Sequence, residues 1–278
     1  LLQILGASDV ALRLPSLLFG AGFLAYSLTF LRQRGMGYLA LTMFPVFLLT
    51  QELVMHYVGE ARTYLPLAAA TIGVLTYYCA PDDFRRGSWG RLIGWSAVLT
   101  GVLFHPYIAL YWPAVLIFAF FFFHRGRSWR KLASFANPAL VITGLVVYVV
   151  IASLTWIRGK ANADVDPFNF LPGPLPLEIV VQNFYAFTAV LPAAISLIAV
   201  IGSIALTLAG HPQGLRGGLH ELAVKLRAPT TLFVGAFALA VVVSLSSIAA
   251  DFWIFPRQWI ASTALSAVAI FWAGYAPA

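Results

Sequence analysis

Four short segments of this chain set ionisable and phenolic side chains at the edges of long apolar runs. The densest is His56-Tyr57-Val58-Gly59-Glu60-Ala61-Arg62-Thr63-Tyr64. Glu60, Arg62 and Tyr64 stand two apart; an arginine in that company can grip a phosphate through two parallel hydrogen bonds while the carboxylate and phenol orient it. The plainer reading is an interfacial loop with a Glu–Arg pair and a tyrosine of the aromatic belt. In Ser8-Asp9-Val10-Ala11-Leu12-Arg13-Leu14-Pro15-Ser16, either Ser8 or Asp9 suits a helix cap. Arg13 then falls one turn inside, where a cation opposes the helix dipole and calls for an acidic partner or an anionic ligand; otherwise it snorkels to headgroups. His105, followed by Pro106 and Tyr107, offers an acid, base or metal ligand, or else is a hydrogen-bonded structural group. Arg257 and Gln258 follow the aromatic run after Asp251, and Arg257 is a further candidate phosphate contact. Asp164 and Asp166 could offer oxygen ligands to a divalent ion or simply be solvated. There is no phosphate-cradling GxxxxGK[ST] loop, no HExxH helix and no GxSxG elbow.

Long apolar runs must position these residues, and the composition names their solvent. Of 278 residues 61% are hydrophobic and only 10% charged, against about 25% charged in a soluble domain; mean hydropathy is +0.87. So little polar surface cannot wet a globule of this size, which points to lipid. The net charge of +7 does not indicate nucleic acid, because the basic residues fall in short loops between apolar runs. A single cysteine, Cys79, excludes an internal disulfide. Runs of about 20 apolar residues must be helical in hydrocarbon. The expected fold is an all-α polytopic transmembrane bundle, one domain over 1–278, with nine spans at 12–31, 36–55, 64–80, 91–105, 107–123, 136–157, 185–209, 230–250 and 258–276. An irregular outer loop at 158–184 is placed to act as a lid. The inner connection 210–229 reads as a cytoplasmic segment with a short amphipathic surface helix.

Lys and Arg set the orientation. Twelve of the 17 lie in one set of alternate loops: Arg32 and Arg34; Arg85, Arg86 and Arg91; Arg125, Arg127, Arg130 and Lys131; Arg216, Lys225 and Arg227. That side is read as cytoplasmic. Leu1 is then outside and Ala278 near the cytoplasm, as in a bacterial inner membrane, and an earlier span is expected upstream. Seven of the ten acids fall on the outer side, so the chemistry is expected there. Ionisable residues are scarce within the spans, which disfavours pumps and proton-coupled carriers.

At these residues the chain resembles the all-helical membrane glycosyltransferases that use polyprenyl-phosphate sugars, in the branch of the protein mannosyltransferases, the lipid A aminoarabinose transferases and the bacterial family 39 transferases. Asp9-Val-Ala-Leu-Arg-Leu-Pro-Ser-Leu-Leu-Phe-Gly20 is similar to that branch's E-x-A-L-R-L-P-S-A-L-F-G helix start, and Glu60-Ala-Arg-Thr-Tyr64 to its Q-E-A-R-x-Y segment. His105-Pro-Tyr107 is similar to its T-H-Y-Y, and Pro256-Arg257-Gln258 to its late x-R-Y. Gly59 stands where Gln is common and Gln258 where Tyr is common. The resemblance implies transfer of a sugar from a polyprenyl-phosphate carrier to an acceptor on the outer side. It implies phosphate contacts from Arg62, Arg13, Arg257 and Tyr64, support from Glu60, and a cavity completed by His56, His105, Tyr107 and Gln258. The family's catalytic Asp lies upstream of the first motif, beyond the start of this chain. Some relatives hold a divalent metal, for which His56, His105 or Glu60 are the candidate ligands. The expected partners are membrane lipid, the lipid-linked donor and further subunits of a membrane complex. The competing expectation is a non-catalytic subunit built on the same fold.

Overall fold

The computed structural model describes residues 9–49, 64–104, 131–132, 135–161, 201–202, 205, 208–209, 214–250 and 260–275. Among them the elements are all helices: α1 Asp9–Gln33, α2 Tyr38–Leu49, α3 Tyr64–Tyr78, α4 Asp82–Arg86, α5 Ser88–Phe104, α6 Pro138–Ala161, α7 Gly214–Ala250 and α8 Ile260–Tyr275. The expected spans 12–31, 36–55, 64–80, 91–105, 136–157 and 258–276 correspond to α1, α2, α3, α5, α6 and α8. The span expected at 107–123, most of 185–209 and the loop 158–184 fall largely or wholly outside the described residues. Among those described, the stretch Arg13–Gln33 is long and apolar enough to cross a membrane by length and composition. Shorter apolar helices lie at Tyr38–Leu49, Leu65–Tyr78, Pro138–Val147 and Ile260–Tyr275.

The bundle is built around α3, which is buried on every side from Leu65 to its end. A helix that is apolar all round has no face to give to water. Its small residues Ala68, Ala69, Ala70 and Gly73 let neighbours approach closely. A Cβ on Gly73 would stand 2.5 Å from Ala97 Cβ on α5 and 3.0 Å from the Tyr26 ring of α1. The buried hydroxyls are satisfied along the helix, Thr71 donating to Leu67 O at 2.8 Å and Thr76 to Ile72 O at 2.7 Å.

Contacts fix the directions. Gly94 lies against the Tyr77 ring and Ala97 against Gly73, so α5 runs antiparallel to α3. The hydroxyls of Tyr26 and Ser96, 2.7 Å apart, tie α1 to α5. Thr76 Oγ1 lies 3.1 Å from the carbonyl of Tyr26, and Arg34 donates to the carbonyl of Cys79. The α1 and α3 C-termini therefore share one end, and the two helices are parallel. Trp272 meets Phe30 edge-on at 5.5 Å, bringing the last turn of α8 to that same end. Because α8 is buried from Ile260 through Ala269, it lies along α3 rather than projecting past it.

The chain reverses between α1 and α2 at Gly35, whose φ of +83° is open to glycine. Met36 N–H donates to Leu31 O and Gly35 N–H to Arg32 O, the two bonds of a Schellman cap. Beyond α6 the structure corrects one expectation. The surface helix expected within 210–229 and the span at 230–250 are a single helix of 37 residues that continues through Pro229. Proline supplies no N–H to the ladder, yet helices continue through it where neighbouring groups make up the bonds. Thr231 Oγ1 donates to Arg227 O at 2.6 Å beside the proline, and Lys225 pairs with Glu221 at 3.0 Å one turn before it.

Candidate functional site

Two ends of the bundle concern function. At the first, α1 and α3 begin near one level, and α8 begins toward the same end. Arg13 is exposed one turn into α1, and Tyr64 is the first residue of α3. Since Tyr26 is level with Thr76 and both helices rise 1.5 Å per residue, Arg13 and Tyr64 come within about one turn of the same level. Ile260, which opens α8, lies about 18 Å from Trp272 on the same reckoning, toward that end. His56, Glu60, Arg62, His105, Tyr107, Arg257 and Gln258 lie outside the described residues, and so do the candidate metal ligands Asp164 and Asp166. No group of three His, Cys, Asp or Glu suited to a metal occurs among the described residues.

At the opposite end more of the candidate groups are described, and among the described residues the chemistry is cationic. Two arginines close it. Arg34, from the α1–α2 turn, donates to Cys79 O just past the end of α3, where carbonyls lack intrahelical partners and a cation is favoured. Its guanidinium lies 5.1 Å from the Phe30 ring and 5.8 Å from that of Trp272. Burial lowers its pKa from the ordinary value, but a guanidinium keeps its charge. Arg85, from the short helix α4, pairs with Asp82. It also donates to Phe135 O at 3.5 Å and lies 4.6 Å over the Phe135 ring.

Behind Arg85 the two tyrosines that end α3 hold the start of α6. Tyr78 donates to Ala136 O at 2.6 Å, and Asn137 Nδ2 donates to the Tyr77 hydroxyl at 3.0 Å. Asn137 has a φ of +54°, a left-handed conformation that asparagine tolerates better than most residues. It sits just before Pro138, which opens α6.

These groups wall a cavity of about 600 Å³ between α4, the start of α5 and the start of α6, within the usual range of ligand pockets. Arg85, Arg86, Arg91 and Lys131 face it against one carboxylate, Asp82. Asp82 is engaged by Arg85, whereas Arg86, Arg91 and Lys131 have no carboxylate partner among the described residues. Such an arrangement can hold an anion, and phosphate fits best because arginine offers it a planar fork. Sequence reasoning had used these four cations only to orient the chain. Their meeting depends on Asn137 and Tyr77, sixty residues apart, which local spacing does not disclose. Comparison with protein-family models, with curated proteins and with solved structures finds no match.

Proposed function

We propose that this chain is the multi-pass, membrane-embedded core of a glycosyltransferase that takes its sugar from a polyprenyl-phosphate carrier. One observation supports this above the others. The helices opened by the three motif segments, α1, α3 and α8, run parallel and start at one end of the bundle. An acceptor hydroxyl would attack the anomeric carbon and displace the lipid phosphate. Negative charge then grows on the leaving oxygen, and preorganised cations in a water-poor site stabilise it. Arg62, Arg13 and Arg257 are the residues proposed for that role, with Glu60 and Tyr64 orienting them and His56, His105, Tyr107 and Gln258 completing the cavity. The acceptor's hydroxyl proton leaves to a general base as the new bond forms.

The test is transfer from a polyprenyl-phosphate sugar by purified full-length protein. Arg62→Ala should lose on the order of a hundredfold in turnover, about 3 kcal/mol of transition-state stabilisation, while still inserting and folding. Unchanged turnover in that variant would remove Arg62 from the mechanism. No transfer by the wild-type protein, together with stable co-purification in a larger assembly, would favour the non-catalytic subunit.

A further inference from the structure

We propose that the cationic cavity between α4, α5 and the start of α6 seats the phosphate headgroup of an anionic phospholipid, with its acyl chains lying along the exposed face of α6. The inference rests on the membrane-spanning part of the reading above and not on its transfer chemistry.

Three observations converge. The first is charge: Arg86, Arg91 and Lys131 are exposed at the cavity and unmatched by carboxylates among the described residues. Basic pockets between membrane helices on the cytoplasmic side suit phosphate headgroups. A zwitterionic lipid would bring an ammonium group into the same positive field.

The second is what adjoins the cavity. Four residues beyond Pro138 of its wall, Ile142 begins an exposed apolar stripe that continues through Leu145, Val146, Val149 and Val150. Those steps of three and four residues lie on one helix face. From Pro138 to Val150 the helix rises about 18 Å, close to the roughly 15 Å of one hydrocarbon leaflet. A soluble phosphate would use the cations and leave the stripe idle; a lipid uses both. Trp89, 72% exposed two residues before Arg91, suits the membrane–water boundary.

The third is rigidity. Arg85 is fixed by Asp82 and Phe135, and Asn137 by Tyr77. The walls are in place before a ligand arrives, so binding orders little beyond the three exposed cations.

The experiment is native mass spectrometry of the detergent-purified protein with dioleoyl phosphatidylglycerol, dioleoyl phosphatidylcholine or sodium pyrophosphate. Phosphatidylglycerol should be retained about tenfold or more over phosphatidylcholine, and pyrophosphate should bind far more weakly. Exchanging both Arg91→Gln and Lys131→Gln should weaken phosphatidylglycerol about twenty-five-fold, roughly fivefold for each cation, with helicity by circular dichroism unchanged. Should the pair fail to fold, Lys131→Gln alone carries the test, with about a fivefold loss. Val146→Asn should weaken the lipid and spare pyrophosphate. Equal retention of the two lipids, or undiminished phosphatidylglycerol binding without the cations, would overturn the proposal. Pyrophosphate binding as tightly as the lipid would overturn the lipid identity in favour of a soluble phosphate. Selective lipid retention in a protein that transfers no sugar would sink the transferase reading and leave this one standing.

Discussion

Replacing Gly73 with alanine tests the close packing of α5, and of the Tyr26 ring of α1, against α3. The added methyl would lie 2.5 Å from Ala97 Cβ and 3.0 Å from the Tyr26 ring, where carbon atoms prefer about 3.5–4.0 Å. Tyr26 can yield a few tenths of an ångström by turning its ring; the α5 backbone must retreat by about 1 Å. Overpacking of this kind costs about 1–3 kcal/mol. Alanine recovers about 1 kcal/mol of helix propensity, so a net loss of about 1–2 kcal/mol is expected. Ala97→Gly removes the opposing Cβ and should cost about 1 kcal/mol alone, mostly in propensity. Combined, the two should be less damaging than their sum by about 1 kcal/mol or more, because the clash needs both methyl groups. The assay is the apparent unfolding temperature of the four detergent-purified proteins, which should fall by a few degrees in Gly73→Ala and partly recover in the pair. A neutral or stabilising Gly73→Ala, or strict additivity, would mean that α3 and α5 do not approach closely at this point.

Arg62→Lys should restore only part of the transfer lost in Arg62→Ala, since a point charge lacks the planar fork; full rescue in the donor-transfer assay would show that charge alone suffices. In intact cells, with Cys79 replaced by serine, a cysteine at Ser88→Cys should resist an impermeant thiol reagent and one at Asn162→Cys should react; the reverse pattern would invert the orientation. Asn137→Ala should destabilise by about 2 kcal/mol, from the lost bond to Tyr77 and the left-handed backbone. Asn137→Gly should destabilise less, having lost the bond alone, and unfolding temperatures that rank glycine below alanine would contradict the conformational argument.

Helix positions among the described residues were largely readable from apolar run length, because a long apolar run that is buried must pair its own backbone groups, which a helix does within one segment. The start of α3 at Tyr64 and the tight reversal after Gln33 follow from where those runs stop and glycine and charge begin. That α7 runs on through Pro229 from a charged stretch into an apolar one was not legible, because the change in composition resembles the end of one element and the start of another. The central place of α3 was legible only as composition; that α1, α5 and α8 all surround it is set by contacts between distant residues, such as Gly73 with Ala97 and Phe30 with Trp272. The candidate phosphate residues Arg13 and Tyr64 were found from type and spacing, and the parallel run of their helices was not. The cationic cavity was hidden for the same reason: Arg91 and Lys131 belong to separate segments, and only the fold brings them to one wall.

The contact between Phe30 and Trp272 joins residues about 240 positions apart, and it bears on how the protein is made. As helices leave the ribosome in order, α1, α2 and α3 are made long before α8 exists. Until then Phe30 and Phe44, which end up against Trp272 and Phe271, lack those partners, and α3 lacks one of its walls. The early helices therefore cannot reach their final packing during synthesis. The bundle must stay open along one seam, and the last helix closes it in a late, non-local step of the kind that slows folding. A nascent chain arrested before Ile260 would present that seam to quality-control proteases.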